Sequence, residues 1–483
     1  MRVNRQIFFW FLAVAVLLTA MSCAVNPVTG KKELMLISEA QEIELGKQTD
    51  QSIRMQYGLY DDPALTNYVR RVGNSLTPHT HRKELKYHFA VLDTPVPNAF
   101  AAPGGYIYVT RGLMAMMNSE AELAVVLGHE LGHVNARHSA RSMSRQMIFN
   151  LGLVVGSVLS KEVRRWAPLA GLAGNLLFLK FSRSDEYQAD SLGIQYARGS
   201  RYLPGAMVTF FNSLQQLTAD HGGSSIPNFL STHPLTTRRI EEVKEMLQPG
   251  DENLKVARND YLQKVDGLVY GNNPRHGYVQ GNAFYHPQMK FAFNIPQGWK
   301  VQNTPAQVAL AEANGNAVIL LRVEKAQSAL DDYARSRLQQ ALQNPQILDQ
   351  GSHAVNSLSA HHIIFDSAVT QDNTSVPMRG RMSCIQKNGM VYTFIGLTQR
   401  NVFQSHDPSI LTPIRTFRNL NDPQHLNRRP VHVEVVKVGA ATTMGRFLSQ
   451  HNIPQKLHKE VLLLNLMKTG TQLSPGQLIK IIR

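Results

Sequence analysis

The pentad His129-Glu130-Leu131-Gly132-His133 constrains this chain more than any other stretch. It lies in Glu120–Met143, EAELAVVLGHELGHVNARHSARSM, whose flanks are those of a helix. Ser119 followed by Glu122 has capping-box spacing, which satisfies the orphan amides of a first turn. Leu123, Val126 and Leu127 supply an apolar stripe at helical spacing. Positions four apart share a helix face, so His129 and His133 point the same way. Two imidazoles one turn apart suit a single Zn²⁺ at about 2.0–2.1 Å each. Glu130, next to the first histidine, points beside such an ion and is free to act as base on a water there. The plain alternative is a surface helix with two solvated histidines. The apolar run before the pentad argues against it, because it marks a buried helix.

A catalytic zinc site takes three protein ligands and keeps one position open, and two histidines with a glutamate are one known set. The candidate third ligand is Glu186, in Arg183-Ser184-Asp185-Glu186-Tyr187-Gln188-Ala189-Asp190. Glu186 and Asp190 lie one turn apart on a helix, so Asp190 is placed to accept the second ring N–H of a ligand histidine and fix its tautomer. On spacing alone the pair fits a solvated, charged helix face equally well. A metzincin would continue with glycine and histidine where Ala136 and Ser139 stand, and is excluded. His138 falls off that register and reads as an exposed helix residue.

Four motifs in order carry a resemblance: NAFAAPGGYIYV from Asn98, HELGH from His129, EYQAD from Glu186 and STHP from Ser231. Residues 26–250 resemble the zinc metallopeptidase family of the HtpX heat-shock protease, the CAAX prenyl proteases and the periplasmic BepA and LoiP proteases. The resemblance implies a gluzincin fold, one Zn²⁺ per chain on His129, His133 and Glu186, and Glu130 as general base. It places His233, of STHP, near the zinc, either hydrogen-bonding the developing oxyanion or filling the open metal position at rest. It also implies that Asn98, Ala99, Phe100 and Ala101, with the strand after them, take the substrate peptide by strand addition. An ordinary hairpin in the core sheet is the alternative for that stretch.

Met1–Ser22 reads as a signal peptide, with Arg2 and Arg5 before the apolar Ile7–Leu18, a run too short to span a membrane comfortably. Ala20 and Ser22 are small at the positions that govern cleavage before Cys23. The stretch resembles a bacterial lipobox, which implies lipid modification of Cys23. Ala24 after it resembles an outer-membrane address, so the expected location is the periplasm, on a lipid anchor in the outer membrane. Cys384 is the one other cysteine, so no disulfide framework is expected. The net charge of +15 favours anionic partners such as a membrane surface or wall polymer. No clustered basic arm or nucleic-acid motif accompanies it, which sets nucleic acid aside.

Helices are expected over Ser38–Tyr57, Pro63–Leu76, Tyr202–Leu217 and Thr236–Leu247, and strands over Lys86–Leu92 and Tyr106–Thr110. The apolar runs Ile148–Leu159 and Ala167–Leu179 read as a helical hairpin, and Asp220–Asn228 as a candidate lid. The fold class is α+β, in three parts after the leader. Residues 23–265 form a mainly helical protease domain with a small sheet. Residues 266–281 are a Gly/Asn/Pro-rich linker, and 282–425 an α+β module of binding or spacing character. Val431–Arg483 resembles a small LysM domain, which implies peptidoglycan binding. The expected function is a zinc endopeptidase cleaving misfolded or misassembled envelope proteins. The competing class is a wall- or assembly-factor adaptor whose metal site is structural or latched.

Overall fold

The computed structural model describes residues 23–146, 181–220, 228–325, 328–342, 344–371 and 374–483. The leader, both apolar runs of the expected hairpin and the centre of the Asp220–Asn228 loop lie outside them. The chain divides into two units: Gly58–Gly271 with Val431–Arg483 and the residues before Met55 make the first, and Asn272–Pro430 with Met55–Tyr57 the second. No described helix is long and apolar enough to cross a membrane.

In the first unit, β1 (Cys23–Val25) pairs antiparallel with β2 (Lys32–Leu34). Helix α1 (Glu39–Tyr57) starts at a complete capping box between Ser38 and Gln41. Helix α2 (Pro63–Leu76) has Asp62 as its cap and buries Leu65, Val69, Val72 and Leu76, the stripe its period prescribes. Strands β3 (His88–Leu92), β4 (Ala99–Ala102) and β5 (Tyr106–Thr110) form a sheet in the order β3-β5-β4, with β4 at an edge. Gly104 and Gly105 make the β4–β5 turn at φ 74° and 93°. A Cβ on Gly104 would stand 2.8 Å from the Ile43 backbone, so only glycine fits there.

Helix α3 (Arg111–Met116) leads into α4 (Glu120–Asn135), the helix of the pentad, buried along its whole length. The structure stops α4 at Asn135 instead of carrying it to Met143. Arg137 adopts φ 53°, in the left-handed region, and the chain restarts as α5 (residues 138–146). Two buried contacts hold that strained residue: its Nε reaches Glu42 Oε2 at 2.8 Å and Nη2 donates to the Ile37 carbonyl at 2.9 Å. Then follow α6 (Arg183–Gly199), α7 (Ala206–Asp220), α8 (Asn228–Thr232), α9 (Thr237–Glu245), α10 (Arg258–Val265) and the short β6 (Val269–Tyr270).

The expected linker 266–281 is built structure instead. It contains β6, a 3-10 turn and β7 (Tyr278–Gln280). Gly267, Gly271, Gly277 and Gly281 all take positive φ, so the glycines make tight turns between short strands. In the second unit, β7 pairs with β8 (Ala283–His286), β8 with β9 (Phe291–Asn294), and β9 with β17 (Arg418–Asn419). A larger antiparallel sheet runs β10 (Lys300–Thr304), β11 (Gln307–Ala311), β12 (Ala317–Lys325), β16 (Met390–Gln399), β15 (Thr374–Lys387), β14 (Leu358–Gln371), β13 (Gln346–Val355). The β15–β16 turn is Asn388-Gly389 at φ 51° and 75°, both positive as a type I′ turn demands. Cys384 is fully buried there, and burial pushes its thiol up to about 11.

Val431–Arg483 does not stand apart. Strand β18 (Val431–Lys437) pairs with β6 on one side and with β21 (Leu478–Ile482) on the other, and between them in the chain β19 (Thr442–Thr443) pairs with β20 (Gln472–Leu473). Val433, Phe447, Leu448, Val461, Leu464, Ile479 and Ile481 share one core with Leu123, Leu127 and Leu131 of α4. The buried Lys480 amine donates to the Ala115, Met116 and Met117 carbonyls at the end of α3, at 2.6, 3.3 and 2.9 Å. The sequence reading missed this because turn signals and short strands mark a module's presence and say nothing of what its apolar face covers.

Candidate active site

Two helices cross at small residues to make the site. A Cβ on Gly193 of α6 would lie 2.9 Å from the His129 amide nitrogen, and one on Gly132 of α4 would lie 3.0 Å from Ala189 Cα. Backbones this close let carboxylates on α6 reach imidazoles on α4. His233 arrives from the end of α8, and Arg239 from α9, whose cap is Thr236. The four side chains His129, His133, Glu186 and His233 present nitrogen or oxygen atoms that all lie within 4.8 Å of one another, and all four residues are buried.

His129 Nδ1 lies 2.9 Å from Asp190 Oδ1, a carboxylate that only accepts, so Nδ1 carries the hydrogen and Nε2 is bare. Around that lone pair stand His133 Nε2 at 3.0 Å, His233 Nδ1 at 3.3 Å and Glu186 Oε2 at 3.7 Å. Glu186 Oε1 is 3.5 Å from His133 Nε2 and 3.0 Å from His233 Nδ1. Lone pairs gathered this closely repel one another unless a cation lies among them. Tetrahedral zinc, with ligands at about 2.0–2.1 Å, spaces its donors about 3.3 Å apart, and the observed separations bracket that figure. The residues present fit the ion.

Glu130 stands beside this group. Its carboxylate oxygens are buried without a hydrogen-bond partner of normal geometry, and Oε1 lies 3.6 Å from His233 Nε2. Burial pushes the Glu130 carboxyl up, against the opposing pull of His233, His129 and the Ala101 amide of β4. A raised carboxyl is one suited to taking and returning a proton near neutral pH. Burial pushes His133 down, and the neighbouring His129 and His138 add to it. Burial works against the Glu186 charge, yet His233, His129 and Arg239 hold its carboxyl below the usual range. His233 is held above its ordinary value by Glu186 and Glu130 in spite of its burial.

The structure thus gathers Glu130, His129, His133, Glu186, Asp190 and His233 in one place. Ala99, Phe100 and Ala101 lie on β4, whose only strand partner among the described residues is β5. Asn98 precedes the strand and binds Thr110 through its backbone on both sides. Cys23 begins β1, away from these side chains in the sequence, and pairs with Leu34.

Two residues of the site escaped the sequence reading. Arg239 Nε and Nη2 each lie 2.7 Å from Asp190, and Nη1 lies 2.8 Å from Glu186 Oε2. Its signal was available: it sits one turn before the buried Val243 on α9, on an apolar face where a charge needs a partner. His138, read as exposed, is fully buried, and its Nδ1 lies 2.9 Å from His133 Nδ1. The turn at Arg137 brings it there, whereas an unbroken helix would carry position 138 to another face.

Residues 63–247 match the family profile described as Peptidase family M48. The chain is 32% identical over 247 residues to a beta-barrel assembly-enhancing protease of Yersinia pestis, covering 49% of this chain and 50% of the relative. It is 31% identical over 259 residues to the Escherichia coli K12 protein of that name, covering 52% and 53%. With the mitochondrial metalloendopeptidase OMA1 of Schizosaccharomyces pombe it shares 29% identity over 227 residues, covering 46% and 65%. This chain therefore spans about half the length of the assembly-enhancing proteases it matches. The PsbP protein of Synechocystis sp. PCC 6803 is similar in fold at TM-score 0.25 and 10% identity, over 30% of this chain and 96% of that one, too weakly to argue from. The family match spans both α4, with its paired histidines, and α6, with Glu186 and Asp190, so the residues gathered at the site fall within the stretch that matches the profile of peptidase family M48.

Proposed function

We propose that this chain is a zinc-dependent endopeptidase of the bacterial cell envelope, acting on misfolded or misassembled envelope proteins. The observation that carries the reading is the convergence of His129, His133 and Glu186 on one point beside an unpartnered, buried Glu130. Zinc, when bound by His129, His133 and Glu186, supplies a Lewis acid that lowers the pKa of water and polarises a carbonyl. Glu130 takes the proton of the attacking water and delivers it to the leaving amine. His233 donates a hydrogen bond to the oxygen of the scissile carbonyl as charge builds there. At rest it stands among the metal-facing atoms, 3.3 Å from His129 Nε2, where it closes the position that a catalytic site leaves open. Asp190, held by two bonds from Arg239, fixes the His129 ring. The edge of β4 on the side away from β5 takes the substrate backbone as an added strand next to Glu130.

The names of the matched relatives support an envelope role, and the leader with Cys23 supports export and a lipid anchor that faces the periplasm from the outer membrane. The test is cleavage of casein by zinc-loaded chain lacking residues 1–22, beside Glu130→Gln and a chelated sample. Cleavage by the unaltered chain alone is expected, with zinc still bound in Glu130→Gln. Turnover in Glu130→Gln would sink the proposed mechanism.

A further inference from the structure

We propose that His138 is a positioning residue for the metal centre: through its hydrogen bond to His133 Nδ1 it holds His133 with Nε2 bare and facing His129 and Glu186. The proposal rests on the zinc reading above and concerns a residue outside the ligand set. His138 Nε2 lies 3.0 Å from Gln188 Oε1. An amide oxygen only accepts, so His138 Nε2 carries the hydrogen. The neutral ring then has a bare Nδ1, which lies 2.9 Å from His133 Nδ1 and must receive a hydrogen from it. His133 Nε2 is left without a hydrogen, 3.0 Å from His129 Nε2 and 3.5 Å from Glu186 Oε1. The other tautomer would aim an N–H at the place where a cation belongs.

Each histidine on α4 thus has its own orienting partner. For His129 it is Asp190, a charge backed by Arg239. For His133 it is an uncharged relay, Gln188 to His138 to His133, and both of its outer members depend on local geometry. Gln188 lies between Glu186 and Asp190 on α6. His138 is delivered by the left-handed Arg137, which the buried Glu42 and the Ile37 carbonyl hold in place. The groups facing the His138 ring from other elements are Phe181, with ring centroids 6.0 Å apart, and Asp185, whose Oδ1 is 3.8 Å from Nε2 and is itself paired with Arg141.

The experiment uses metal-free chain lacking residues 1–22, with ¹⁵N-labelled histidine, and reads the His133 nitrogens by NMR before zinc is titrated against a chelator. The unaltered chain is expected to show His133 protonated at Nδ1 and bare at Nε2. His138→Ala should mix the two tautomers and weaken zinc binding about 10–100-fold, the usual effect of losing an orienting partner. His138→Asn should restore both readouts, because its amide accepts near the place of Nδ1 and donates towards Gln188. Gln188 is half-buried, so Gln188→Met tests the relay in a chain that keeps its fold even where His138→Ala does not, and a smaller loss in the same direction is expected. A His133 hydrogen on Nε2 in the unaltered chain would overturn the proposal, as would undiminished zinc affinity in both His138→Ala and Gln188→Met. An unaltered chain that binds no zinc would instead overturn the zinc reading, while the tautomer measurement still decides the role of His138.

Discussion

Replacing Lys480 with methionine should loosen the catalytic helix from a position 365 residues away from the group it caps. The Lys480 amine is the partner of three carbonyls at the end of α3, just before α4 begins. Met116 O also accepts from Asn118, so two carbonyls, those of Ala115 and Met117, lose the side-chain donor outright. A buried carbonyl without a partner costs about 1–3 kcal/mol, so the loss is about 2–5 kcal/mol, lowered somewhat because methionine also relieves the burial of an amine. Burial already pushes the Lys480 amine down towards neutrality, which makes that relief small. Amide hydrogen exchange reads the result locally: protection of α3 and α4 should fall by about 30- to 5000-fold, one tenfold step per 1.4 kcal/mol. Amides of β14, β15 and β16, in the other unit, serve as the internal control and should not change. Protection of α3 and α4 kept within about threefold of the unaltered chain would refute the claim that the tail supports the catalytic helix.

Glu120, at the first turn of α4, is held down to about 2 by Arg71, Lys255 and Tyr202 in spite of its burial, against an ordinary 4.5. Its stabilising contribution is therefore present above about pH 4.5 and lost as pH falls towards 2, up to about 3 kcal/mol. The unfolding free-energy gap between the unaltered chain and Glu120→Gln should narrow between about pH 5 and pH 3, and a gap flat across that window contradicts it. Gly193→Ala places a carbon 2.9 Å from the His129 nitrogen and 3.1 Å from Met207 Cε, so α6 must back away. It should cost about 1–3 kcal/mol and weaken zinc binding in chelator competition, and unchanged melting and affinity would count against the crossing argument. Val431 pairs with Tyr270, so Asn272–Pro430 is an insertion between two adjoining strands. Replacing Asn272–Pro430 with one glycine leaves a two-residue Gly-Gly turn there. That shortened chain should fold and bind zinc, and aggregation or loss of zinc would show that the first unit needs the second.

Local signals made half of this molecule legible from its sequence. The helix starts at Ser38 and Pro63 each act over a few residues, and both helices stand where they point. Of the residues that gather at the site, His129 and His133 were legible from their helical spacing and the apolar run before them, whereas Glu186 and His233 were singled out by the resemblance of the EYQAD and STHP motifs and spacing alone did not decide them. What stayed hidden depended on contacts between distant residues. The run from Glu120 to Met143 reads as one helix, and it is Glu42 and the Ile37 carbonyl, far upstream, that pin Arg137 in the conformation that ends it. His138 looked exposed because its place was computed along that unbroken helix. The Gly267–Gly281 stretch has a linker's composition, but its glycines flank β6, whose partner β18 lies far downstream, and β7, which pairs with the adjacent β8. Nothing in the sequence near Lys480 announces the α3 carbonyls it binds.

The capping of α3 by Lys480 also sets an order of events during synthesis. A chain made from its amino end has the pentad and Glu186 in hand long before β21 exists. Until Leu478–Ile482 is made and folds back between β18 and the end of α3, the helix that carries His129 and His133 lacks part of its support. The paired histidines and Glu186 are thus made early, and the helix that carries the histidines is stiffened late, when β21 reaches the end of α3.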